Sequence, residues 1–165
     1  MKIEEAIFQS KFTSEQQKLT INLMYTGSWM NNIQIRFFKQ FDLTPQQYNV
    51  LRILKGQKGK PISVNDMSVR MIDRMSNTSR IVERLRVKDL LRRDVCPKDR
   101  RQVEVSITKK GLDLLEKIGP QVKKLHTAFN SLTEEEAVVL NKLLDQLRNI
   151  ETNTELITYS QKSKS

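Results

Sequence analysis

The sequence predicts a mainly α-helical chain with a small β-hairpin, an α+β class, on three observations. Apolar residues recur at helical spacing along most of its 165 residues. Glycine and proline are scarce, at five and four residues, so few points break those helices. A later stretch has a different period: Val103, Val105 and Ile107 alternate with Gln102, Glu104 and Ser106, as in a half-solvated strand.

A first long helix is expected over about Ser14 to Phe41. Leu19, Leu23, Met30, Ile33, Phe37 and Phe41 fall three, four or seven residues apart and lie on one face. Tyr25, Trp29 and Phe38 widen that stripe beyond what one small domain needs. A second helix starts at Thr44-Pro45-Gln46-Gln47. Thr44 caps, Pro45 suits the first helical position, and Gln47 completes a capping box. Tyr48, Leu51 and Leu54 make its inner face, and Gly56 and Gly59 mark its end.

Pro61-Ile62-Ser63 is a short extended piece, and Ser63 with Asp66 boxes a short helix to about Met71. After a turn at Ile72-Asp73, a helix from about Met75 to Lys88 buries Ile81, Val82 and Leu85. Leu91 to Val95 reads as a strand, Pro97 to Arg101 as a polar turn, and the strand from Val103 closes the hairpin. Thr108 caps a long helix to about Asn130. Thr133 and Glu136 box the start of a last helix to about Ile150. Glu151 to Ser165 lacks an apolar period and reads as a frayed polar tail.

Composition narrows the function classes. No run approaches the roughly 18 apolar residues of a membrane span, and Met1 to Thr13 has no signal-peptide pattern, so a cytoplasmic protein is expected. One cysteine, Cys96, and one histidine, His126, leave no disulfide and no zinc cluster. There is no nucleophile–base pair, P-loop or dinucleotide fingerprint, so neither an enzyme nor a cofactor is expected. The net charge is +10, and its placement is uneven: residues 55–110 hold 16 Lys/Arg and 7 Asp/Glu, net +9. Such a segment favours a polyanion, because each cation set on a phosphate releases condensed counterions.

Those cations coincide with an order of helix, helix, turn, helix and hairpin, which is a winged helix-turn-helix. A helix fits the major groove of double-stranded DNA, and a two-stranded ribbon can lie over the adjacent minor groove. With Ile81, Val82 and Leu85 inward, the recognition helix turns Arg74, Ser76, Asn77, Ser79, Arg80 and Arg84 outward. Asn pairs with adenine, Arg with guanine, and Ser with phosphate or base. The wing turn carries Lys98, Arg100 and Arg101, suited to a narrow minor groove, with Asp99 placed to support Arg101. Each feature alone has a plainer reading as a cap, a solvated face or a soluble hairpin tip. Their order within one stretch makes the case. An architectural or non-specific nucleic-acid-binding protein is the alternative.

Three motifs resemble the MarR (multiple antibiotic resistance regulator) family of bacterial transcription factors. The wing signature reads Asp99-Arg100-Arg101, five residues, then Ile107-Thr108, with Lys110-Gly111 following. The recognition-helix pattern reads Ser79-Arg80-Ile81-Val82-Glu83-Arg84-Leu85, and Asp66-Met67-Ser68 stands where relatives have Glu-Leu-Ala. The resemblance spans about residues 20–150 and is strongest from Leu43 to Gly111. Two departures stand out: Asp89 replaces a frequent Gly before the first wing strand, and Ile72-Asp73 replaces a Gly-containing turn.

The resemblance implies a repressor that binds a palindromic operator as a homodimer, its recognition helices about 34 Å apart. It also implies a division into 1–43, an N-terminal dimerisation helix region; 44–108, the winged helix-turn-helix lobe; 109–150, C-terminal dimerisation helices; and the tail 151–165. Many relatives bind small aromatic or phenolic molecules between the dimerisation helices and the DNA-binding lobe, and a ligand that favours the DNA-incompetent spacing would release DNA. Met24, Tyr25, Trp29, Met30, Phe37 and Tyr48 are the candidate lining residues, although aromatics and methionines at helical spacing more often make a plain core. Cys96 has Arg92, Arg93 and Lys98 near it in sequence, cations that lower a thiol pKa. Oxidant-sensing cysteines of relatives lie mostly in the dimerisation helices, so Cys96 reads as incidental.

Overall fold

The computed structural model describes residues 1–95, 103–127 and 131–149. The chain divides into two compact units, Met1–Ile118 and Gly119–Ser165. A short helix, α1 (Ile3–Ala6), precedes the expected ones. Its Ile3 is buried, and Glu4 pairs with Lys18 at 2.5 Å.

Helix α2 spans Glu15–Lys39, and Ser14 caps it by accepting the Gln17 N–H at 3.1 Å. Its burial corrects the expected stripe. Phe38 is its one buried residue, while Leu19, Met24, Trp29 and Ile35 stay exposed. At about 1.5 Å per residue, 25 residues extend about 37 Å, further than a small lobe can cover.

Helix α3 (Pro45–Gly56) starts with the expected box. Thr44 Oγ1 accepts the Gln47 N–H at 3.2 Å, and Gln47 Oε1 accepts the Thr44 N–H at 2.9 Å. Val50, Leu51 and Leu54 are buried, as is Gln47. Tyr48, expected inward, is only half-buried and stacks on Phe38 with ring centroids 4.4 Å apart.

Strand β1 (Ile62–Ser63) leads into α4 (Val64–Arg70), then α5 (Thr78–Val87), β2 (Leu91–Val95) and β3 (Val103–Ile107). The sheet has three strands in the order β1-β3-β2, all antiparallel, not the hairpin alone. Ile62 and Arg93 both face Val105 in register. The Ser63–Asp66 box is also different. Ser63 Oγ accepts the Asp66 N–H at 3.0 Å but donates to the Asp66 carboxylate at 2.7 Å. Asp is one methylene shorter than the Glu that normally reaches back to the cap backbone.

Met67, Val82, Leu85, Leu91 and Val105 join the α3 residues in the core. Asp89 adopts φ 60°, so it takes the left-handed conformation at the position where the family resemblance leads us to expect a Gly. Helix α6 (Lys109–Thr127) begins against this corner. Thr108 donates its hydroxyl to Asp89 O at 2.9 Å and accepts the Gly111 N–H at 3.1 Å. Leu115 and Ile118 of α6 are buried. The boundary between the units falls between Ile118 and Gly119 inside α6, next to Pro120, which has no N–H for the preceding turn.

In the second unit, α7 (Glu134–Arg148) carries the expected Thr133–Glu136 box, with bonds of 3.2 and 2.8 Å. None of its residues is buried, and Val138, Val139 and Leu143 are exposed. The expected helix ends at Asn130 and Ile150, and the tail 151–165, lie outside the described residues. Among the described residues no helix is long and apolar enough to cross a membrane.

Candidate nucleic-acid interface

The segment between α4 and α5 is held by side chains rather than by a glycine. The Ile72 N–H donates to Asn49 Oδ1 of α3 at 3.0 Å, across 23 positions of sequence. Asp73 closes the turn. One carboxylate oxygen accepts the Met75 N–H at 3.1 Å, the other accepts the Ser76 hydroxyl at 2.7 Å, and its carbonyl accepts the Ser76 N–H at 3.2 Å. Asn77 then caps α5, its Oδ1 accepting the Arg80 N–H at 3.0 Å.

This revises the expected recognition helix, which begins at Thr78 and not at Met75. Arg74 and Ser76 lie on the turn and Asn77 at the cap. The Ser76 hydroxyl and the Asn77 oxygen are committed to holding backbone and turn. Inward, α5 buries Thr78, Val82 and Leu85, while Ile81 is half-buried. Outward, Ser79, Arg80 and Arg84 are exposed, as is Arg74 before the helix. The side chains of Arg74, Arg80 and Arg84 form no hydrogen bond or ion pair with any described residue, so these guanidinium groups are available to an anionic ligand.

Glu83 also lies on α5, and sequence reasoning overlooked it. It accepts Arg86 Nε and Nη2 at 3.0 and 2.8 Å and lies 3.7 Å from Arg93 of β2. The hydrogen bond from Arg86 holds its carboxyl below the usual carboxylate range. Its charge is therefore balanced locally and links the helix to the wing. At the other end, Lys88 donates to the Asp42 carbonyl and pairs with its carboxylate at 2.9 Å. Lys110 donates to Lys88 O at 2.9 Å. Helix α5 is thus tied at its C-terminal end to the α2–α3 junction and to α6.

Arg92, Arg93 and Asp94 are exposed on β2. The wing-turn candidates Lys98, Arg100 and Arg101, the supporting Asp99, and Cys96 lie outside the described residues. Of the candidate effector residues, Phe37 stands near Phe38 and Phe41, with centroids 5.0 and 5.5 Å away. Met24 and Trp29 are exposed, and Tyr25, Met30 and Tyr48 half-buried. A cleft of about 440 Å³ lies elsewhere, walled by Leu43, Thr44, Gln47, Arg84, Val87 and Lys88 among others, and none of the six lines it. Among the described residues no cluster of His, Cys, Asp and Glu could hold a metal ion.

Known proteins similar to this chain identify its family. Residues 41–102 match the sequence model of the MarR family. The chain is 30% identical over 128 residues to the HTH-type transcriptional repressor IacR of Pseudomonas putida, covering 76% of this chain and 75% of that one. The crystal structure of a MarR transcription factor from Planctomyces limnophilus is similar at a TM-score of 0.64 and 30% identity, covering 82% of this chain and 99% of that one. BpsR of Bordetella bronchiseptica, whose DNA binding is regulated by 6-hydroxynicotinic acid, is similar at a TM-score of 0.70 and 27% identity, covering 85% and 98%.

Proposed function

Because this chain belongs to the MarR family of transcriptional regulators, we propose that it is a sequence-specific repressor that binds a palindromic operator as a homodimer. The observation that carries the reading is the outward face of α5. Arg80 and Arg84 stand exposed there with no side-chain partner among the described residues, beside exposed Ser79, over a helix whose other side is buried. Arginine on a major-groove helix reads guanine through O6 and N7. Ser79, Arg80 and Arg84 would read bases; Ser76 and Asn77 would position the helix, with Arg74 and the Asn77 NH2 group touching phosphate. Lys98, Arg100 and Arg101 would clamp the flanking groove, with Asp99 orienting Arg101.

In this reading, residues 44–108 form the DNA-binding lobe, and 1–43 with 109–150 form the dimer. Selection from random duplex DNA tests it. An inverted repeat bound roughly 10³-fold more tightly than random DNA is expected. Salt-sensitive binding with no preferred site would favour the architectural alternative.

An aromatic effector is part of the proposal. The regulation of BpsR by an aromatic acid supports it, at 27% identity. So does the exposure of Met24 and Trp29 on α2, which a second chain would need to cover. Operator affinity would be measured with a panel of phenolic and other aromatic acids. A ligand that favours the DNA-incompetent arrangement weakens binding. Unchanged affinity across the panel removes this part.

A further inference from the structure

The turn from Met71 to Asn77 presents two large apolar side chains to solvent. Ile72 is 90% exposed and Met75 94% exposed. Neither contributes to the core, yet the backbone beneath them is tightly held. The N–H of Ile72 is bound by Asn49, and the N–H of Met75 by Asp73, which also takes the Ser76 hydroxyl. Apolar groups on a fixed turn lose little backbone freedom when a partner covers them.

Their surroundings indicate the partner. Arg70, Arg74 and Arg80 flank them in sequence, all exposed. The one acid in between, Asp73, already has both oxygens engaged. Apolar tips among cations match a duplex, where phosphates line the groove and the thymine 5-methyl is the apolar group on its floor.

We infer that Met75 and Ile72 contact thymine methyl groups and form a second sequence-reading element, just ahead of α5. The inference rests on the DNA-binding function proposed above. It adds A·T discrimination through carbon contacts to the hydrogen-bonding readout of Arg80 and Arg84.

The test uses the full chain and its selected duplex, with each thymine replaced in turn by uracil, which lacks only the methyl. At one or more positions, uracil should weaken binding about fourfold, the factor for burying one methyl-sized group. In Met75→Ser or Ile72→Ser, the same replacement should then have no effect, and the variant should bind the parent duplex about fourfold more weakly. Thermal unfolding of both variants should match the parent, because neither side chain is packed.

Uracil penalties that persist in both variants overturn the inference, as does a complete absence of penalties. Variants that bind the selected duplex as tightly as the parent also overturn it, and return the two side chains to docking another protein. A chain that selects no site at all overturns the functional reading together with this one.

Discussion

At Asn77 the side-chain amide offers one oxygen and one NH2 group, and the helix takes the oxygen by accepting the Arg80 N–H. Adenine recognition by Asn needs both groups, so Asn77 is better placed as a cap, and base reading falls to Arg80 and Arg84. Arg80→Ala should therefore lower affinity for the selected site by about 1–3 kcal/mol and leave random DNA much less affected. Arg100→Ala, if that residue holds phosphate, should weaken both alike and reduce the salt slope by about 0.9. Competition binding at several salt concentrations separates the two, and equal behaviour would refute this division of roles. Gly111 shows a different constraint. A Cβ there would stand 2.2 Å from Leu90 O and 2.8 Å from Ile107 Cγ1. The neighbour is backbone at the β2 start, so it cannot swing aside. Gly111→Ala should cost about 1–3 kcal/mol or more in a denaturant titration; an unchanged midpoint would mean that α6 can move away from the sheet.

At the level of elements, caps and periods were legible and long-range ties were not. Thr44, Thr133 and Thr108 marked helix starts because a hydroxyl three residues from a bare N–H is a local signal. The start of α5 was misplaced because Ser76 and Asn77 continue its polar face toward the N-terminus, while Asp73 can bond its own downstream backbone and does so. An Asp followed by Ser three residues on was the available hint. Ile62 and Ser63 were legible as an extended piece, but their pairing with β3 was not, because two residues carry no period. Asn49 left no trace at all, since its partner is 23 positions away. That tie makes a prediction about the helix-turn-helix. Asn49→Leu keeps volume and removes the acceptor. Because Ile72 lies at the surface and water can take its N–H, stability should fall by only about 0.5–1.5 kcal/mol. The turn that sets the approach of α5 loses its anchor, so preference for the selected site should fall more than the melting temperature implies. Asn49→Asp, which retains an acceptor, should recover most of it. Stability and preference falling in proportion would make Asn49 an ordinary packing residue.

For the whole molecule, the unresolved demand is apolar surface. Helix α2 buries only Phe38, and α7 buries nothing while exposing Val138, Val139, Leu140, Leu143 and Leu147 by 41–62%. The periodic stripe that seemed too wide for one lobe is therefore only half covered among the described residues, with Leu19, Met24 and Trp29 exposed. A monomer seldom keeps such faces in water, and a two-fold partner covers the same patch on both copies. Sedimentation equilibrium should thus find a dimer. Leu143→Glu should shift it toward monomer while helical content stays unchanged, because more than half of the side chain is exposed among the described residues. The effect on DNA follows from linkage of two readers. A dimer that has seated one α5 holds the other near its half-site, a gain of about 10²–10⁴ without any new contact. The variant should lose that factor on the full inverted repeat and almost nothing on a single half-site. Binding to random DNA should persist, since the cations of residues 55–110 remain. If Leu143→Glu stays dimeric and binds the full repeat as before, the α7 face is not part of the dimer, and the two-fold contact must be sought along α2.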